Sequence, residues 1–190
     1  MGIDIHEVVD AASTKPFGFS RFDPGPGLGG HCIPVDPWYF AWAASRAGHP
    51  SRFVELAGEI NTQMPRHVVN AVASILAQDA KDLDGSSVLV LGVAYKKNVG
   101  DVRETPAAPI VEDLQERGAQ VQYHDPLVPN FPKMRRHDLG LHSVPLTEQV
   151  VHDADVVLIV TDHDAIDFSL VATAAKRVVD TRNVLSEAQV

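Results

Sequence analysis

Apolar residues recur at helical spacing in the first dozen positions, where Ile3, Ile5, Val8, Val9 and Ala12 predict a helix over Gly2–Ala12. The period then vanishes between Lys15 and Pro37, a stretch rich in glycine and proline that reads as a long loop. Irregular segments of that length are uncommon in compact domains unless they are functional or disordered. Asp36-Pro37 supplies an N-cap and a proline at the first helical position, and Trp38, Ala41, Trp42 and Ser45 carry a helix to a stop at Gly48. A second helical region runs from about Ser51 to Leu83 on Phe53, Leu56, Ile60, Val68, Val69, Val72, Ile75 and Leu76. Pro65 is expected to kink or split it, and Ile60 and Met64 are read as core because of their helical spacing.

After Asp84-Gly85 the period changes. Ser87–Val93, Val121–His124, Val156–Val160 and Val178–Val179 read as strands, and Pro106–Arg117, Thr147–His152 and Ser169–Ala175 as helices. Strands alternating with helices predict a parallel sheet covered on both faces, with ligands at the carboxyl ends of its strands. The fold class is therefore α/β. An all-helical segment over residues 1–82 precedes a small doubly wound, Rossmann-like domain over 83–190. Within that domain, 128–143 reads as surface loop with a short strand near Leu141–Val144.

Composition narrows the function classes. With 45% hydrophobic residues in 190, a real core is available. Sixteen Lys and Arg stand against 25 Asp and Glu, a net charge of −9 with no long basic run, which argues against nucleic acid or an anionic membrane as partner. The apolar runs fall far short of the roughly 20 residues of a bilayer span, and no charged-then-apolar leader opens the chain, so a cytoplasmic protein is expected. One cysteine, Cys32, excludes an internal disulfide. One cysteine and nine scattered histidines show no closed ligand spacing, so no metal site is expected.

The strongest chemical signal is Gly25-Pro26-Gly27-Leu28-Gly29-Gly30-His31-Cys32-Ile33-Pro34-Val35-Asp36-Pro37. Four glycines allow the backbone to approach a ligand closely and to present amide donors beside the thiol. They do not fit a dinucleotide fingerprint, since no strand precedes them and no helix starts at the last glycine. A cysteine just before a helix start is placed for nucleophilic catalysis. Asp36 either caps that helix or acts on a water. His31 is an unpromising base for Cys32, because adjacent side chains usually project apart. Considered on their own, Lys96, Lys97 and Arg103 read as solvated surface charge.

Taken together, Thr14-Lys15-Pro16-Phe17-Gly18-Phe19, Pro24–Pro37, Leu91–Ala107, Tyr123-His124-Asp125-Pro126 and Asp180-Thr181-Arg182-Asn183 resemble, in order, landmarks of the UDP-glucose/GDP-mannose dehydrogenase family. The branch acting on UDP-N-acetylhexosamines is the most similar; Val35 stands where some UDP-glucose members have a basic residue. The resemblance implies oxidation of a sugar C6 alcohol to a carboxylate with NAD as cofactor, through a thiohemiacetal and a thioester on Cys32, with Asp36 assisting water. It implies substrate contacts from Phe22, Asp23, Pro24, Gly25, Pro26 and Gly27, and from Tyr95, Lys96 and Arg182. Arg103 and Cys32 would lie beside NAD, and Lys15 would reach the substrate of a neighbouring subunit. The helical segment matches the family's dimerisation region, implying a homodimer. The family's N-terminal NAD-binding domain, with its Gly-x-Gly-x-x-Gly, has no counterpart in these residues, so the chain is expected to be the C-terminal part of such an enzyme and inactive alone. Two other readings stay open: a non-catalytic UDP-binding and dimerisation module, and a cysteine hydrolase pairing Cys32 with His124 or His163.

Overall fold

The structure, a computed structural model, describes residues 2–187. Helix α1 spans Ile5–Ser13, with the Asp4 side chain accepting from the His6 amide at its start. Irregular chain follows until α2, Asp36–Arg46, which ends ahead of Gly48 in a left-handed conformation at φ 84°. Asp36 is not the cap expected of it. The cap position is Val35, and no side chain bonds the first amides. Instead the Cys32 carbonyl accepts from the amides of Val35 and Asp36 at 3.1 and 2.8 Å, so a turn through the cysteine leads straight into the helix.

Helix α3 runs unbroken over Arg52–Ala77, with Pro65 inside it. The expected split does not occur. The proline removes one amide donor, and the Asn61 carbonyl that it would have served lies beside Gly27 of the glycine loop. Val68, Val69, Val72 and Leu76 of its second half are buried, whereas Phe53, Leu56 and Ile60 of its first half are exposed, Ile60 at 54%. Ile60 is therefore not core, although Met64 is half-buried. Helical spacing marks an apolar face but not what covers it.

The sheet is built from β1 (Ser87–Leu91), β2 (Gln120–His124), β3 (Val156–Ile159) and β4 (Val178–Asp180), in the order β2-β1-β3-β4. Every pairing is parallel, with Val88 opposite both Val121 and Val156, and Val157 opposite Val178. Helices α4 (Ala107–Glu116), α5 (Glu148–Asp153), α6 (Phe168–Ala174) and α7 (Val184–Glu187) complete the fold. Val88 and Val90 point into one core with α3 and α4, and Leu89 and Leu91 into another with α5 and α6. Both faces are thus covered, as near-continuous apolar strands require. In place of the strand expected near Leu141–Val144 there are two isolated bridges, Tyr123 to Ser143 and Asn130 to His142.

Candidate functional site

The chain leaves β1 toward β2 on one side and returns through β3 to β4 on the other, so the sheet has a switch point between the carboxyl ends of β1 and β3. Crevices at such points are where ligands bind in this architecture. The segments that gather there are 92–105 after β1, 125–128 after β2, 160–167 after β3 and 181–183 after β4.

The glycine loop lies across this end of the sheet, and its glycines are sites of close approach. A Cβ on Gly29 would lie 2.6 Å from the Tyr95 Cβ and 2.8 Å from the Glu104 carbonyl oxygen. One on Gly25 would lie 2.7 Å from Nη1 of Arg182, and one on Gly27 3.2 Å from Pro106. Two long-range hydrogen bonds pin the loop: the Gly30 amide donates to the Arg103 carbonyl at 2.8 Å, and the Leu28 amide to Oδ1 of Asn61 at 2.8 Å. Pro26 and Gly30 are buried, while Phe22, Asp23, Pro24, His31 and Cys32 are exposed. The Cys32 Sγ lies 3.7 Å from Nδ1 of His31, so these adjacent side chains converge where divergence was expected. Neither His124 nor His163 is bonded to the thiol: His124 meets the Val144 carbonyl and His163 meets Asp125.

The basic residues divide by partner. Lys97 pairs with Asp164 at 2.7 Å and Asp162 at 3.6 Å, and those carboxylates raise its pKa, the Asp164 hydrogen bond foremost. Arg103 folds onto Asp101 at 2.6 Å, which holds its guanidinium above the ordinary value and the Asp101 carboxyl below, with a smaller influence of Cys32 on the arginine. Lys15 sits 5.2 Å over the Phe17 ring, within its own loop. Arg21 bridges Asp10 and Asp23. Arg182 is half-buried and pre-aimed: its Nε donates to the Val160 carbonyl at 2.7 Å, its amide to Asp180, and burial pushes its pKa down against the pull of Asp162 and Asp180. Lys96 is exposed, and no ion pair is found for it among the described residues. An arginine anchored through Nε keeps its terminal nitrogens for an anion or carbonyl, and a lysine without a partner is a point charge for a phosphate.

Two hollows flank the loop. A polar one of about 510 Å³ is lined by Asp10, Arg21, Asp23, Pro24, Asp162 and Arg182. A larger one of about 1010 Å³ lies between Trp38, Trp42, Arg66, Thr105, Arg135 and Arg136. Cys32, Tyr95, Lys96 and Arg103 line neither. Asp36 is exposed, and its carboxylate accepts no hydrogen bond among the described residues. No cluster of three or more potential metal ligands occurs among the described residues, and no helix there is long and apolar enough to cross a membrane.

A dinucleotide would have to be cradled by the turn after β1, residues 92–105. Its first glycine, Gly92, sits at φ 76°, and a Cβ there would lie 2.3 Å from the Thr161 carbonyl oxygen; one on its second, Gly100, would lie 2.9 Å from the Leu127 carbonyl oxygen. Both glycines serve contact with the segments after β3 and β2 rather than leaving room for a pyrophosphate, so these residues do not form a dinucleotide cradle.

Two features of this site escaped sequence reasoning. Asn61, which holds the loop at Leu28, lies 33 positions away with no local pattern to reveal it. The Asp125–His163 pair spans 38 positions; the Tyr-His-Asp-Pro motif marks Asp125, but nothing in it indicates a histidine partner.

Comparison with known proteins gives a consistent picture. Residues 1–63 match the model of the UDP-glucose/GDP-mannose dehydrogenase family's central domain, and residues 89–187 that of the family's UDP binding domain. Among relatives, the UDP-N-acetyl-D-mannosamine dehydrogenase of Methanocaldococcus jannaschii is 30% identical over 98% of this chain and 41% of its own length. The UDP-N-acetyl-D-glucosamine 6-dehydrogenase of Pseudomonas aeruginosa is 33% identical over 84% of this chain and 37% of its own. A solved structure of an NDP-N-acetyl-D-galactosaminuronic acid dehydrogenase from Methanosarcina mazei superposes with a TM-score of 0.80 at 29% identity, covering 97% of this chain and 41% of that one. The chain spans about two fifths of the length of the relatives it matches.

Proposed function

Because the chain belongs to the UDP-glucose/GDP-mannose dehydrogenase family, we propose that it carries the nucleophile and the nucleotide-binding side of a UDP-sugar 6-dehydrogenase. The single observation behind this reading is the docking of the Cys32 loop onto Tyr95 and Glu104 through Gly29, which admits no side chain, with Gly25 against the Arg182 guanidinium. In this reading the docked loop, Lys96, for which no ion pair is found among the described residues, and the anchored Arg182 work together at the carboxyl end of the sheet. Lys96 and Arg182 bind the diphosphate and sugar, and Tyr95 with the Phe22–Gly27 loop frames the rest. The Cys32 thiolate adds to the C6 aldehyde and later holds the acyl group as a thioester, and the exposed Asp36 carboxylate orients the water that releases the acid. NAD supplies the oxidising power in this chemistry. Since the turn after β1 forms no dinucleotide cradle, its binding is assigned to a part of the enzyme outside these residues, with Arg103 and Cys32 facing it. The substrate is a UDP-N-acetylhexosamine, the gluco or manno epimer, as the names of the relatives and Val35 indicate. An exposed free thiol fits the reducing cytoplasm.

The experiment is calorimetry with UDP, UDP-glucose and the two UDP-N-acetylhexosamines, with NADH production then followed after an NAD-binding domain of the family is supplied in trans. Lys96→Ala is expected to weaken UDP about tenfold, the loss of one charge-assisted contact of about 1.4 kcal/mol. Equal affinity for wild type and variant would remove the phosphate assignment.

A second reading, a UDP-binding and dimerisation module without catalysis, draws on the apolar residues left open on α2 and α3, with Trp42 60% and Phe53 88% exposed. Contiguous exposed apolar surface marks an interaction site. In either reading, residues 1–82 form the subunit-contact and nucleophile segment, 83–190 the UDP domain, and Lys15 reaches the neighbouring subunit. A homodimer is expected by sedimentation, and Trp42→Glu with Phe53→Glu is expected to make it monomeric. UDP binding without NADH formation in trans would favour the module.

A further inference from the structure

Beneath the turn that carries Tyr95, Lys96 and Lys97 lies a buried acid–histidine pair to which neither the motifs nor the reading above assigns a task. Asp125 follows β2 and is 2% exposed; His163 follows β3 and is fully buried. Oδ2 of Asp125 accepts from the amides of Val93 and Ala94 at 2.7 and 3.1 Å, and from Nε2 of His163 at 3.2 Å. Its Oδ1 accepts from the amides of Leu127 and Val128 at 2.8 and 3.0 Å. On its other side, Nδ1 of His163 lies 2.9 Å from the Asn98 amide, which donates to it. An acceptor at Nδ1 requires the proton to sit on Nε2, where it is given to Asp125. The roles of both ring nitrogens follow from their partners.

The turn is therefore held at both ends by one unit. Its entry, Val93-Ala94, hangs on Asp125, and its exit, Asn98, hangs on His163, and the two holders are bonded to each other. Asn98 sits in a left-handed conformation at φ 59°, and its side chain exchanges two hydrogen bonds with Asp164, which secures the same exit. Between the anchors, Lys97 is spent on Asp162 and Asp164, so the position of Lys96 depends on the backbone set by the pair. The pair also ties the turns after β1, β2 and β3 together at the switch point of the sheet.

We propose that Asp125 and His163 are positioning residues for phosphate recognition, fixing both ends of the Tyr95–Lys97 turn so that Lys96 is aimed at the diphosphate. This rests on the reading that the domain binds UDP. Neither residue touches the ligand, so both act through the turn. A general loss of structure would weaken the nucleoside and the diphosphate alike, whereas a positioning role weakens only the diphosphate.

The test is calorimetry of UDP and of uridine on the chain and its variants. His163→Leu is expected to weaken UDP about tenfold and to leave uridine within about twofold. In a Lys96→Ala background the same change is expected to cost less than about twofold in UDP affinity, because the lysine it positions is gone. His163→Gln, whose amide offers an acceptor and a donor at similar spacing, is expected to restore UDP affinity to within about threefold of wild type. Unchanged UDP affinity in His163→Leu, a matching loss of uridine, or a further tenfold loss on top of Lys96→Ala would each overturn the proposal. Should His163→Leu fail to fold, nitrogen-15 NMR of the wild type decides: the Nε2-protonated tautomer with a protected Asn98 amide is expected, and an Nδ1-protonated ring would overturn the proposal. A wild type that binds neither UDP nor uridine would instead defeat the UDP reading itself.

Discussion

Replacing Asp125 by asparagine is expected to destabilise the chain by about 2–5 kcal/mol, the cost of leaving at least two buried amides without an acceptor, and to lower its melting temperature by roughly 10 °C. The carboxylate is 2% exposed and accepts five hydrogen bonds, three on one oxygen and two on the other. An asparagine keeps one acceptor oxygen and turns an amino group toward donors on the other side, so at least two buried amides lose their partner. Acid titration should reveal the same group. Burial by itself would raise the Asp125 pKa, but hydrogen bonds from His163 and from the Val93 and Leu127 amides outweigh it and hold the carboxyl below its ordinary range. A folded value below the unfolded value of about 3.9 means that the stabilisation is complete above about pH 5 and is lost as the pH falls through the folded value. The wild type is therefore expected to lose more stability than Asp125→Asn on going from about pH 5 to about pH 3, as measured by urea unfolding. Parallel curves for the two proteins would show that the carboxylate contributes nothing to acid lability.

Gly29→Ala is the second large effect. Its new methyl would lie 2.6 Å from the Tyr95 Cβ, 2.8 Å from the Glu104 carbonyl oxygen and 3.2 Å from the Thr105 Cα. None of these is the free end of a flexible side chain, so the loop has to lift away from the sheet. Lifting it breaks the bonds from Gly30 to Arg103 and from Leu28 to Asn61. Two lost hydrogen bonds amount to about 2 kcal/mol, so the Leu28 and Gly30 amides are expected to exchange at least about tenfold faster, and UDP to bind about tenfold more weakly. Gly140→Ala is the control. A Cβ there meets nothing within 4 Å, but φ is 60°. Strain alone should cost about 1 kcal/mol with no change in UDP affinity. If Gly29→Ala leaves exchange and affinity as in wild type, the loop is not docked as described.

Much of this molecule is legible along the chain because its elements answer to local rules. The helices around Val8, Trp42 and Ile110 and the strands around Val90, Val121, Leu158 and Val179 follow from spacing and from glycine stops within a few residues. Their alternation leads to the parallel, doubly covered sheet. The glycine loop announces itself by composition, and Cys32 by its place within that loop. Errors arose where a local rule had two outcomes. Asp36-Pro37 suits a capped start or a turn running directly into the helix, and the Cys32 carbonyl selects the second. Proline in a helix breaks it unless other contacts hold the segment, and the buried face of Val68 to Leu76 holds α3.

The sequence by itself determined the element types, the covering of the sheet on both faces, the loop and its cysteine, because backbone preference and apolar period act over a few residues. Only the tertiary structure decided which apolar face of α2 and α3 is buried, that Lys96 is left without an ion pair among the described residues, and that Asp125 and His163 meet beneath the Tyr95–Lys97 turn. Those outcomes depend on strand order, which brings residues 31 to 67 positions apart within hydrogen-bonding distance at the carboxyl end of the sheet. No periodicity of two or 3.6 residues carries information across such separations.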